Sequence, residues 1–240
     1  MLREKRYKFH KAEDGLLRDF YPRLCSSVVD RALVAKGRQV DARQTDPTLV
    51  SWLANSGVAQ AVYQQFVLDC LSGLEHGQES SIAEQALMTC AVALSQISTK
   101  ALSEWSPFAH TLCGRVTEML GAGKLEPAST LWDLAVDRVL VKACGQEVEV
   151  HLRVVGLLGL AARAKKLDGP ALCSYLERTL ESSEKARRRR RKRAAKEGKR
   201  GNESDGVYPA YQELRGDLGD LEHHPKLKEY LEGERLRGAS

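Results

Sequence analysis

No two cysteines in this chain stand closer than twenty residues: Cys25, Cys70, Cys90, Cys113, Cys144 and Cys173 are spread along its length. That spacing excludes C-x-x-C metal and redox pairs and offers no disulfide framework. Each cysteine lies in an apolar context, as in FVLDCL and ALMTCAVAL, so reduced, buried thiols in a reducing compartment are expected. Long apolar runs are missing too. Nothing approaches the ~20 consecutive apolar residues of a membrane span, and the start, MLREKRYKFHKAEDG, lacks the apolar middle of a secretory signal. It reads as a basic arm.

Alternating stretches long enough for a sheet are absent. Val148–Val150 and Val154–Val155 have strand propensity, but Ala161–Lys166 and the lack of turn signals favour a helix there. Catalytic signatures are equally scarce. Gly121-Ala122-Gly123-Lys124 is followed by Leu125, so neither the spacing nor the hydroxyl of a phosphate-binding loop is present. Gly156 and Gly159 follow no strand and suit close helix packing better than a phosphate cradle. No G-x-S-x-G elbow organises the serines and histidines. His223 and His224 are adjacent and therefore do not share a face, which makes poor two-ligand geometry. His110 and His151 fall in helical stretches, where packing or capping is expected. The chain is expected to be no enzyme, with no cofactor, no metal and no small-molecule substrate.

What is present is a strong ordering of charge. Residues 1–15 hold Arg3, Lys5, Arg6, Lys8 and Lys11 with Tyr7 and Phe9 between them; residues 16–183 form an apolar, weakly charged body. Residues 184–202 are a basic run, and residues 203–240 a polar, acidic tail. From Lys185 to Arg200 there are eleven Lys/Arg against one acid, Glu197, or +10 in a chain whose total is only +5. The rest of the protein therefore sums to −5.

The body reads as successive helices. Leu24, Val28, Val29 and Leu33 have helical spacing, as do Val58, Val62, Phe66 and Leu74. Asp46-Pro47 suits a helix start, Ser81 and Glu84 have the spacing of a capping box, and Gly121 suits a helix stop. The helices pair, with starts near Val58 and Ile82, Trp105 and Pro127, and Glu147 and Pro170. Pair starts some 42 to 47 residues apart match the ~40–47-residue period of two-helix repeats. The expected fold class is all-α, an α-solenoid-like stack of helical hairpins, with an irregular helical bundle as the alternative. Trp52, Trp105 and Trp132 begin predicted helices; core packing is the simpler expectation and base stacking the sharper one.

Two stretches carry a family resemblance. EVHLRVVGLLGLAARAKKLDGPALCSYLERTL joins an apolar helix rich in small residues to a second helix. EPASTLWDLAVDRV, with Leu131, Trp132, Leu134 and Ala135, has the same flavour. Over residues 47–183 the chain resembles the degenerate helical-repeat organellar RNA-binding proteins of the octotricopeptide and FAST-kinase-like class. It lacks that class's C-terminal nuclease-like domain and any regular series of base-reading positions. The resemblance implies RNA binding or ribonucleoprotein assembly inside an organelle.

The basic run points the same way on its own chemistry. Arg187–Arg191 are consecutive, and arginine offers a planar fork suited to phosphate oxygens. Residues 177–196 contain no Pro or Gly, so the run can continue the last body helix as a projecting rod. Glu181 and Glu184 stand four positions before Lys185 and Arg188, a spacing that supports helix. The expected RNA-binding residues are Arg187, Arg188, Arg189, Arg190, Arg191, Lys192, Arg193, Lys196, Lys199 and Arg200. To these the arm adds Arg3, Lys5, Arg6, Tyr7, Lys8 and Lys11, which mix charge with a stacking face.

Together these features make a structural subunit of a mitochondrial ribosome the leading expectation, binding rRNA through its basic ends and protein subunits through its body. A membrane partner is not expected. The rivals are a nuclear scaffold whose basic run is a localisation signal, and an accessory subunit of a respiratory assembly with the run at acidic lipid headgroups. The tail, with Tyr208, Tyr211, Leu214, Leu218, Leu221, Leu227, Tyr230 and Leu231, is expected either to anchor on a partner or to be disordered.

Overall fold

The Asp46-Pro47 step starts a helix, and the geometry shows why. Asp46 Oδ1 accepts the backbone N–H groups of Thr48 and Leu49 at 2.8 and 3.4 Å, while Pro47 occupies a first-turn position that needs no N–H. A computed structural model describes residues 19–30, 45–74, 76–77, 80–96, 105–145, 147–196, 207–218 and 220–237. Among them every regular element is helical. The chain divides into two units, Met1–Gln96 and Ile97–Ser240.

The first unit holds α1 (residues 19–30), α2 (Pro47–Asn55), α3 (Gly57–Leu74) and α4 (Ser80–Gln96). The second half of α1, Cys25–Asp30, is wound as a π-helix. α4 is the hub, packing on α1, α2 and α3. Its alanines, Ala83, Ala86, Ala91 and Ala93, are all buried and let its neighbours approach closely. The Tyr63 hydroxyl donates to the Ala86 carbonyl at 3.1 Å, and Gln60 Nε2 donates to the Leu53 carbonyl at 2.7 Å. Both side chains are buried, so these bonds meet the demand that buried polar groups be paired.

Two details differ from the sequence expectation here. The stripe of α3 that enters the core is Ala59, Tyr63, Val67 and Leu71, not Val58, Val62, Phe66 and Leu74, which are only partly buried. Both stripes are apolar at helical spacing, and the tyrosine-bearing one faces α4. Ser81 does not cap α4: the helix already begins at Ser80, and the Ser81 hydroxyl finds no hydrogen-bond partner among the described residues. Leu33 lies outside the described residues.

The second unit holds α5 (Ser106–Gly121), α6 (residues 130–143), α7 (Val148–Arg163), α8 (Gly169–Lys196), α9 (Tyr208–Glu213) and α10 (Pro225–Arg237). The ambiguous valines of α7 are helical. α6 begins at Thr130 rather than near Pro127, because Ser129 is its cap and accepts the Trp132 N–H at 3.2 Å. Its middle, Asp133–Leu140, is π-wound, and Val141 N–H donates five residues back to Val136. α5 ends at Gly121, but the stop is Gly123, whose φ of +69° only glycine adopts at little cost. At the equivalent place after α7 stands Lys165, with φ +56°. α5 packs on α6 and α7, and α8 packs on α7, α10 and the end of α6.

The tail belongs to this unit. Val207, Tyr211, Leu214, Leu227 and Leu231 are buried, α9 packs on α7, and α10 packs on α8 and α9. The apolar tail residues expected to anchor on a partner or to stay disordered therefore close over the chain's own helices.

The cysteines divide by position. Cys90, Cys113, Cys144 and Cys173 are buried thiols, Cys70 is partly buried, and Cys25 is exposed on α1, against the expectation that all six are buried. Burial pushes the Cys70 thiol up to about 12 and that of Cys113 up to about 11, and raises those of Cys90 and Cys144 well above the usual thiol value. Such thiols are inert small apolar groups.

Candidate nucleic-acid interface

α8 joins the core to the basic run without interruption. It starts where Asp168 caps it: Ala171 N–H donates to Asp168 Oδ1 at 2.8 Å, and Pro170 sits in the first turn. Leu172, Cys173, Leu176, Thr179, Leu180 and Ser183 are buried, the three-and-four spacing of a helix with one face in a core. After Ser183 that stripe ends. Residues 185–196 contain three Lys, six Arg, three Ala and no acid, and the helix continues through Lys196. Residues 184–196 correspond to about 20 Å of helix. Basic residues at this end also complement the negative pole of the helix dipole.

The root is held from two sides. On one side α6 supplies Asp137, whose carboxylate pairs with Arg178 Nε at 2.8 Å. The Arg178 guanidinium lies 4.5 Å from the centre of the Tyr175 ring, and Tyr175 Oη accepts the buried Trp132 indole N–H at 3.1 Å. Burial raises the Asp137 carboxyl, opposed by the Arg178 charge. Ser182 Oγ donates to the Lys142 carbonyl at 3.3 Å.

On the other side the tail is tied in. Glu177 accepts the Lys226 backbone N–H at 3.2 Å and faces His224 Nδ1 at 3.0 Å, placing a carboxylate at the positive N-terminus of α10. Glu181 takes the Lys226 ammonium. This contact joins Glu181 to a residue 45 positions away, across the fold from the i+4 neighbour Lys185 that the local spacing pairs it with, whose side chain lies outside the described residues. Deeper, the Tyr211 hydroxyl shares a 2.6 Å hydrogen bond with Thr179 and a 2.8 Å one with His151 Nε2.

Arg187–Arg191, Lys192, Arg193 and Lys196 all lie on the helical extension of α8. Arg3, Lys5, Arg6, Tyr7, Lys8, Lys11, Lys199 and Arg200 lie outside the described residues. Trp105 and Trp132 are 1% and 0% exposed, which removes both from any stacking role with a base. Trp52 is partly buried, with Phe20 6.1 Å and Arg23 5.6 Å from its ring. His110 faces Glu147 at 3.5 Å, and His151 is buried.

Gly159 bears out the packing role: a Cβ there would lie 2.5 Å from Leu214 Cδ2. Gly156, by contrast, faces open space. Among the described residues no group of three or more His, Cys, Asp or Glu is placed to hold a metal ion, and no helix is long and apolar enough to cross a membrane. Short-range sequence rules carry no signal for these roles of Glu177, Tyr211 and His224, because their partners are 32 to 60 positions away.

No protein-family model, curated protein or solved structure matches this chain.

Proposed function

We propose that this chain is a non-enzymatic, RNA-binding structural subunit of an organellar ribonucleoprotein, most concretely a mitochondrial ribosome. One observation carries the proposal. A helix fixed in the core by Leu172, Leu176 and Leu180 continues unbroken into twelve residues that hold nine Lys/Arg and no acid. Like charges this dense repel one another along a helix. A polyanion neutralises them, and arginine's fork matches phosphate oxygens. The basic N-terminal arm adds charge and stacking faces to the same task, and the near-neutral helical body serves protein neighbours.

A solenoid-like stack is supported by how the hairpins meet in the second unit. α5 packs on α7, and the end of α6 packs on α8, so first helix meets first helix and second meets second. The resemblance of these hairpins to organellar RNA-binding repeats supports the mitochondrial location.

The test is RNA binding by the full chain against salt. With about six to ten phosphates engaged, affinity falls by ~10³–10⁵ between about 50 and 200 mM salt. Deleting residues 185–200 abolishes binding. Affinity unchanged by that deletion, or no binding at low salt, refutes the proposal. Sedimentation of the native protein in a large particle that RNase disperses tests the ribonucleoprotein part; co-migration with a membrane complex that survives RNase favours the respiratory rival instead.

A further inference from the structure

The shape of the basic helix restricts the kind of RNA. We infer, resting on the RNA-binding reading above, that α8 works as a preformed rod that enters the major groove of duplex RNA where a bulge or internal loop has widened it.

Three observations lead there. Arg187–Arg191 are five consecutive positions of a continuous helix. Consecutive positions step by 100°, so five of them cover more than one full turn, and arginine positions occur at every azimuth of the rod. A flat partner, whether a headgroup plane or an acidic protein face, meets only about half of that circumference and leaves like charges crowded on the other side. A groove walled by phosphates on both sides meets all of it.

The second observation is width. A helix with its side chains is about 10–12 Å across. The major groove of regular A-form RNA is deep and too narrow for side chains to read. Entry therefore requires a local opening, which a bulge or internal loop supplies.

The third is the root. Residues up to Ser183 are packed, and Glu177 and Glu181 hold His224 and Lys226 of the tail against the same helix. The rod thus leaves the core in a set direction with its helical register already established, whereas a flexible chain must be ordered on binding. Single-stranded RNA, which uses stacking platforms along a groove, gains nothing from a rod of this kind.

The experiment compares four labelled probes with the full chain by fluorescence anisotropy. They are an RNA hairpin with a three-nucleotide bulge, the same hairpin without it, a U20 single strand and a B-DNA duplex. The bulged hairpin is expected to bind about tenfold tighter than the others, the effect of one well-placed bidentate contact. Ala186→Pro interrupts the rod without altering charge and is expected to remove that preference while keeping the salt dependence. Near-UV circular dichroism checks that its core is intact; should it be disturbed, Ala186→Gly loosens the same turn without a kink and reads the same preference.

Equal affinity for bulged hairpin and single strand, a preference that survives both Ala186 variants, or tightest binding to DNA overturns the groove inference. Salt-sensitive binding of all RNAs alike does so while leaving RNA binding in place. Failure to bind any RNA at low salt overturns both.

Discussion

The hydroxyl of Tyr211 lies 2.8 Å from Nε2 of His151 in a site closed to solvent, joining the C-terminal tail to α7. The same oxygen meets Thr179 of α8, so one phenol ties three helices together. Removing it leaves a polar site in the core without the group around which it is built. Tyr211→Phe is expected to lower the stability of the second unit by about 1–3 kcal/mol. Tyr211→Ala adds a cavity and costs about 3–5 kcal/mol. Urea unfolding followed by circular dichroism measures both; a Phe variant as stable as the native chain would show that the hydroxyl network is dispensable.

Asp46 gives the first unit its dependence on acid. Burial alone would raise its carboxyl, but hydrogen bonds from Ser27, Thr48 and Leu49, with the nearby Arg23 charge, outweigh that and hold it below the usual value of 3.8. A depressed carboxyl contributes stability above its unfolded pKa and loses it as pH falls through the folded one. Thermal melts of the native chain should therefore weaken below about pH 4. In Asp46→Asn, which keeps a capping oxygen, that loss should flatten, whereas Asp46→Ala should cost about 0.5–2 kcal/mol at neutral pH.

Lys165 occupies a left-handed conformation that glycine holds more cheaply, with φ +56° directly after α7. Its neighbour Lys166 reaches Glu126 at 3.0 Å, so the turn is held by the residue beside the strained one. Lys165→Gly should stabilise the protein by about 0.5–1 kcal/mol: relief of the left-handed cost exceeds the entropy added to the unfolded chain. A drop in melting temperature for this variant would contradict the argument.

Gly156 and Gly159 sit one turn apart on α7 and should respond differently to the same change. Gly156→Ala fills open space and should stabilise by about 0.5–1 kcal/mol through helix propensity. Gly159→Ala meets Leu214 Cδ2, the tip of a side chain able to turn aside, so its propensity gain is largely offset. Gly159→Leu forces the tail off and should cost about 1–3 kcal/mol, with increased proteolysis after residue 207. Equal effects at the two glycines would count against close packing of α7 on the tail.

Much of the local structure was legible because it rests on short-range rules. Asp46-Pro47 starts a helix through bonds to residues two and three ahead, and the absence of Pro and Gly between 177 and 196 lets α8 run on. The fold departs from the local pattern where two equivalent local signals compete. α3 carries two apolar stripes, and only the position of α4 decides that Tyr63 rather than Phe66 turns inward. Ser81 has the spacing of a cap, yet Ser80 already lies in the helix.

The amino-acid sequence by itself determines the helical character of the described residues, the separation of a basic run from a near-neutral body, and the continuity of α8 into that run. All three follow from propensity, periodicity and charge within a few residues of one another. Only the tertiary structure decides that the polar tail closes over α7 and α8. It also decides that Glu181 reaches Lys226 and that Trp105 and Trp132 are sealed away from solvent. Those outcomes depend on contacts tens of positions apart, where many pairings satisfy the same local pattern and the burial of one apolar face against another selects among them.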